Sequence, residues 1–214
     1  MYKIYLFRQM DLLSEEWVET AMALLPEERR KRAMRYRQKV DRQNCVVAYV
    51  LLKLVLWECF GIRKFELEYG VWGKPYLKDW PGVFVNISHC KMGCAVVASD
   101  CPVGMDMEVV RPFSWEVAKR VCNEKEIQAL REGGKAERDR AFIHMWVGKE
   151  SYVKWLGMGL LQEYYLIVLD VFQKFTYSKD RNELTAWLSL LTIEEVLGMF
   201  SKALRRQLRN QANT

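Results

Sequence analysis

The sequence predicts an α+β protein, and two kinds of stretch carry that reading. Long apolar stripes at helical spacing run from Asp41 to Phe60 and from about Ala136 to the glycines at 157 and 159. Between and before them lie short β-rich runs: Lys3 to Arg8, Phe65 to Tyr69, Val83 to His89, Gly93 to Ser99 and Val103 to Glu108. No internal repeat, low-complexity segment or Pro/Gly/Ser-rich linker divides the chain.

Composition narrows the class. Of 214 residues, 50% are hydrophobic and 28% charged, which places the chain among globular proteins with ample length for a core. Thirty-three Lys and Arg against 27 Asp and Glu leave a net charge of +6, which suits an anionic partner: a nucleotide, a nucleic acid or an acidic protein. The six cysteines are irregularly spaced and form no C-x-x-C pair, as expected for free thiols in a cytoplasmic protein. The start MYKIYLFR has no signal-peptide pattern. The most apolar segment, Val46 to Trp57, is interrupted by Lys53 and is too short to span a bilayer, so no membrane association is expected.

Taken in order, Lys3 to Arg8 reads as a first strand. Ser14 suits the N-cap of a helix through Leu25, and Pro26 suits the start of the next. The run RRKRAMRYRQKVDR, residues 29–42, reads as one basic helix: a solvated face, a phosphate-binding surface or a dock for an acidic partner. Val47, Leu51, Leu52, Val55 and Leu56 form a core stripe that Gly61 stops. Gly73-Lys74-Pro75 marks a turn. In VFVNISH, Asn86 and Ser88 share one face of a strand and His89 takes the other, where it serves either as a hydrogen-bonded structural residue or as a ligand. The set His89, Cys90, Cys94 and Cys101 matches no zinc spacing.

In VGMDME, period two puts Asp106 and Glu108 on the same face of an apolar strand. Two half-buried carboxylates that close repel, and one must protonate unless a cation lies between them; oxygen ligands suit magnesium. The plain alternative is two solvated acids on an exposed strand. Ser114 then opens a helix to about Cys122, and Asn123 with Glu126 forms a capping box for a second helix, closed by Gly133-Gly134. The last long helix carries His144, read as structural, and then WVGKESYVKWLGMGL, residues 146–160. There Trp146, Glu150, Val153 and Gly157 share a face and Lys154 follows Glu150 by one turn.

GKPYL at 73–77, NISH at 86–89, VGMDMEVVRP at 103–112 and the 146–160 segment stand in a fixed order. As an ordered set they resemble the 4′-phosphopantetheinyl transferase superfamily, in the monomeric, two-lobed branch that activates nonribosomal peptide and polyketide synthetases. The resemblance covers roughly residues 1–160, including PEERRKRAMRY. It implies two similar α+β halves, 1–102 and 103–214, related by a pseudo-twofold, each a small antiparallel sheet packed on a long helix, with coenzyme A between them. It implies transfer of the phosphopantetheine arm of coenzyme A to a serine of an acidic apo acyl or peptidyl carrier protein, with release of adenosine 3′,5′-bisphosphate. By the same resemblance Asp106, Glu108 and Glu150 hold Mg²⁺, or Mn²⁺ in its place; Glu150 is the base and Lys154 stabilises pyrophosphate charge. Lys31 reaches the 3′-phosphate and His89 a phosphate, while Gly73, Lys74 and Pro75 line the adenine pocket beside Ser88.

The chain departs from the family pattern at Asn44, where an arginine is frequent, and at Glu28, where a lysine is common. Cys90 replaces a small hydroxyl residue. Beyond Leu161, Tyr164 to Asp170 and Phe172 to Tyr177 read as strands, and from Glu183 through Leu204 the pattern reads as helical. Two other functions compete: a nucleic-acid-binding protein that uses the basic helix 29–42, or a carrier-binding protein without catalysis.

Overall fold

The computed structural model describes residues 1–158 and the backbone of two later strands. Strand β1 (Tyr2–Phe7) is followed by helices α1 (Glu15–Met22), α2 (Glu27–Arg35) and α3 (Lys39–Phe60). Next come β2 (Leu67–Tyr69), β3 (Pro75–Leu77), β4 (Phe84–Cys90), β5 (Gly93–Ser99) and β6 (Gly104–Val109). Helices α4 (Trp115–Val121), α5 (Glu124–Glu132) and α6 (Lys135–Leu156) lead to β7 (Gln173–Lys179) and β8 (Asn182–Ser189). The architecture is α+β, as expected. One antiparallel sheet has the order β1-β5-β4, a second β6-β8-β7, and β2-β3 form a hairpin.

Strand β5 sits at the centre with every residue buried. Its alternation serves two layers. Cys94, Val96 and Ala98 join Val47, Leu52, Val55 and Leu56 of α3 in one cluster. Ala95 and Val97 join Val103, Met105 and Met107 of the β6 segment in another. Helix α3, at 22 residues, is long and apolar enough on composition to cross a membrane; in the fold it is the core helix of the first sheet.

The helix signals hold locally. The Ser14 side chain accepts from Trp17 N at the start of α1, and Asn123 and Glu126 complete the capping box of α5. Gly61 (φ 68°) and Gly157 (φ 71°) end α3 and α6 in the left-handed region that favours glycine. All six cysteines are free thiols.

Two expectations are corrected. Residues 29–42 are not one helix: α2 ends at Arg35, Tyr36 is extended, and α3 starts at Lys39. The break lets α2 fold back so that Ala33 and Tyr36 cover Val46 and Tyr49 of α3; one straight helix cannot pack against itself. The helix expected from Glu183 is instead strand β8, which pairs with β6 on one side and β7 on the other. Leaving β6 unpaired there would strand a row of backbone groups, a cost that overrides local helical pattern. Strand β7 lies where a strand was expected; the strand expected at 164–170 and the stretch 190–214 lie outside the described residues.

Strands β4 and β6 belong to different sheets, yet they are stitched together. Met105 N donates to Asn86 Oδ1 (3.2 Å) and Met107 N to Ser88 Oγ (3.2 Å), so two side chains of β4 satisfy the free edge of β6. On its other side β6 meets α6 at backbone distance. A Cβ added at Gly104 would lie 2.1 Å from Ser151 O and 2.3 Å from Trp155 N. Neither atom belongs to a flexible side chain, so β6 and α6 would have to part. Gly104→Ala is expected to lower stability by about 3 kcal/mol, the upper range for overpacking, measured from the midpoint of urea unfolding. A change within about 0.5 kcal/mol, as at ordinary surface sites, would contradict this close approach.

Candidate functional site

Three elements converge on one carboxylate. Asp106, on β6, is 7% exposed. Its Oδ1 accepts from Ser88 Oγ of β4 (2.7 Å) and from Lys154 Nζ of α6 (2.6 Å). Lys154 Nζ also reaches Ser88 Oγ (3.1 Å). Ser88 thus donates to Asp106 while accepting from Met107 N, and its place on the Asn86 face of β4 makes this possible. A buried carboxylate without a partner would be expensive; here the ammonium and the hydroxyl both answer it.

The charge conflict posed by Asp106 and Glu108 is therefore met by Lys154. Glu108 turns away: its Oε1 accepts from Val109 N (2.8 Å), and its Oε2 lies 3.8 Å from Arg111 Nη2. Glu150 is half-buried one turn before Lys154 on α6, the helix that packs on β6. Three carboxylates on facing elements fit a hard divalent cation by chemistry. As placed, however, no three His, Cys, Asp or Glu side chains among the described residues are gathered closely enough to hold one.

Lys154 faces a cleft of about 180 Å³ between α2, α3, the β2-β3 hairpin and β4. Among the described residues Arg29, Arg32, His89 and Lys154 line it, against the single acid Asp41, and Gly73, Pro75 and Ile87 give it an apolar side. Arg29 Nη1 donates to Tyr69 OH (3.2 Å), tying α2 to the hairpin. Asn44 lines the floor; its Nδ2 donates to Cys90 O (3.0 Å), while its buried Oδ1 has no partner among the described residues. Desolvation at the cleft and the Lys154 charge lower the pKa of His89 below its ordinary value. A concentration of cations over an apolar wall, with one spare acceptor, fits the phosphate and base of a nucleotide.

The structure sorts the expected residues. Gly73, Pro75, His89 and Lys154 line the cleft, and Ser88 and Asp106 stand behind Lys154. Lys31 does not line it. Its ammonium pairs with Glu27 (2.9 Å) and Glu28 (3.1 Å) on the solvent side of α2. Arg29 and Arg32, three residues apart and hence on one helix face, take the inward position; that spacing was the signal available in the sequence.

Lys74 also departs from expectation. Its side chain leaves the cleft and donates from Nζ to Trp155 O (2.6 Å), in the last turn of α6. It meets the negative end of the helix dipole there and packs where a Cβ on Gly157 would come within 3.1 Å of its Cδ. Burial lowers its pKa from 10.5 to about 8. A second lysine, Lys149, has a role that no local spacing in the sequence signals. It is fully buried and donates to Glu126 Oε2 (2.6 Å) and Val121 O (2.8 Å), so the capping-box carboxylate of α5 also anchors α6. Breaking such a pair costs roughly 3–5 kcal/mol, which marks Lys149 as a residue that positions Glu150 and Lys154.

Comparison with known proteins identifies the family. Residues 102–197 match the 4′-phosphopantetheinyl transferase superfamily. The chain is 32% identical over 162 residues to the 4′-phosphopantetheinyl transferase Sfp of Bacillus subtilis (strain 168), covering 75% of this chain and 71% of that relative. It is 30% identical, with the same coverage, to the 4′-phosphopantetheinyl transferase ffp of Bacillus subtilis. With the 4′-phosphopantetheinyl transferase psf-1 of Bacillus pumilus it shares 27% identity over 154 residues, 70% of this chain and 65% of the relative.

The Lys74 strut has a pH signature. Between about pH 8 and its ordinary 10.5, the unfolded chain holds more protons at Lys74 than the folded chain. This group's contribution to stability therefore rises with pH across that window. Urea unfolding of the wild type and Lys74→Met at about pH 7.5 and about pH 10 reads it directly. The stability difference should shift toward the wild type at the higher pH, and a pH-independent difference would contradict the assignment.

Proposed function

Because the chain belongs to the 4′-phosphopantetheinyl transferase superfamily, we propose that it transfers the phosphopantetheine arm of coenzyme A to a serine of an acidic apo acyl or peptidyl carrier protein. The observation that carries the reading is the placement of Lys154. One ammonium spans the buried Asp106 carboxylate and the cationic cleft.

In this reading the adenine lies against Gly73 and Pro75, and the 3′-phosphate against Arg29 and Arg32 with His89 at the rim. Asn44 Oδ1 accepts from the nucleotide. The pyrophosphate then runs toward Lys154. The carrier serine Oγ attacks the β-phosphorus, forming a new O–P bond, and the bond from that phosphorus to the bridging oxygen breaks. Adenosine 3′,5′-bisphosphate leaves with the electron pair. Glu150, on the same face of α6 as the approach, takes the serine proton. Lys154 turns from Asp106 to the pyrophosphate and stabilises the charge that develops there. Asp106, Glu108 and Glu150 would hold Mg²⁺, or Mn²⁺ in its place, which supplies Lewis-acid neutralisation of the pyrophosphate. Net charge of +6 favours encounter with an acidic carrier and makes the rate fall with salt.

The test is intact-mass analysis of apo carrier proteins incubated with the protein, coenzyme A and Mg²⁺. The carrier should gain one phosphopantetheine arm, and chelation of the metal should stop the gain. Asp106→Ala and Glu150→Ala should each slow the transfer at least about a hundredfold, in the range of lost acid–base catalysis, with helical content unchanged. Near-normal turnover in either variant would overturn the roles given to these carboxylates. A folded protein that binds both partners without modifying the carrier would overturn the transfer itself.

A further inference from the structure

A second cleft lies outside the site described above. It measures about 540 Å³ and is framed by the end of β1, the first turn of α3 and the turn between β4 and β5. Among the described residues Arg8, Lys39 and Lys91 line it against one acid, Asp11, and Met10 and Met92 supply apolar walls. It adjoins the nucleotide cleft but uses other residues of α3: 39, 40 and 43 here, against 41, 44, 45 and 48 there.

Two independent features favour a bound anion. The first is the N-terminus of α3, a 22-residue helix whose N-cap residue Gln38 makes no side-chain cap bond. Its first N–H groups have no helical partner, and they coincide with the positive end of the dipole. Lys39 occupies the first helical position, where an acid is preferred; Glu15 answers its charge only from the exposed side, at 3.0 Å. The second feature is Gln43. It is 5% exposed and lines the cleft, and no hydrogen bond ties its amide to the described residues, so the amide opens onto the cleft. An otherwise buried side chain that ends in an untied amide offers both donors and an acceptor to a ligand there. Lys91, on the opposite wall, has no ion-pair partner among the described residues.

We propose that this cleft binds a small organic anion, a phosphate or carboxylate head group carrying a short apolar tail. The head group takes Lys91 and the first N–H groups of α3, with Arg8 beside it. Gln43 donates to it from below, and the tail rests on Met10 and Met92. The site is separate from the coenzyme A cleft and does not depend on the transfer reaction.

The experiment is a titration of the full ¹⁵N-labelled chain with hexyl phosphate, hexanoate and inorganic phosphate, followed by the amide signals of residues 40–43 and 91. Saturable shifts with hexyl phosphate or hexanoate are expected, and whichever saturates at lower concentration identifies the head group. Inorganic phosphate should bind more weakly for want of the tail. Gln43→Leu, which keeps the side-chain volume, and Lys91→Glu, on an exposed turn, should each weaken binding about tenfold, some 1.4 kcal/mol. Added coenzyme A should not displace the probe. Shifts that never saturate, affinity unchanged in both variants, or displacement by coenzyme A would each overturn the proposal.

Discussion

The Asp106 carboxylate, buried at the seam of two sheets, is the constraint on which the site depends. Strand β6 reaches that seam only because Gly104 lets it press against the backbone of α6 and because Asn86 and Ser88 satisfy its free N–H groups. Once there, Asp106 requires compensation, since an unpaired buried charge costs several kcal/mol. Lys154 and Ser88 provide it. The same ammonium borders the cationic cleft, so the structural need of a carboxylate and the positive charge of the cleft are met by one side chain. Lys149 and Lys74 fix the helix that carries it, one through the α4-α5 junction and the other from the β2-β3 hairpin.

Much of this was legible because it is local. The α6 stripe, the glycine at its end, the capping box at Asn123 and Glu126, and the shared face of Asn86 and Ser88 all follow from spacings of two to four residues. The ordered motifs also named Asp106 and Lys154 separately, the two residues that the structure joins. What escaped was the choice of partners across long separations. The bond from Lys74 to Trp155 spans 81 residues, and that from Lys154 to Asp106 spans 48. A flexible lysine stem can satisfy either direction, and packing decides which; the inward turn of Lys74 and the outward turn of Lys31 are two such decisions. The break at Tyr36 escaped for a related reason. Residues 29–42 have helical propensity throughout, and only the need to cover Val46 and Tyr49 folds the chain back. Strand β8 is the opposite case, in which pairing with β6 overrides a helical pattern.

The basic run takes on a different meaning once the break is seen. A continuous helix would present a broad cationic face to a nucleic acid. Split into α2 and α3, it directs Arg29 and Arg32 inward over the tyrosines at 49 and 69 and leaves Lys31 paired with its own glutamates. Where the family pattern has an arginine, Asn44 contributes an amide that braces α3 to the end of β4 and keeps one acceptor spare. The positive charge of the cleft is thus supplied from α2 and α6, with α3 as the floor.

The central claim is that this cleft holds the phosphorylated end of coenzyme A. Isothermal titration with coenzyme A and with 3′-dephospho-coenzyme A tests it most directly, because the two ligands differ only in the phosphate assigned to Arg29, Arg32 and His89. The account predicts a single saturable site for coenzyme A and a loss of at least about tenfold, or 1.4 kcal/mol, for the analogue. Equal affinity for the two ligands, or no saturable binding of coenzyme A by the folded chain, would contradict it.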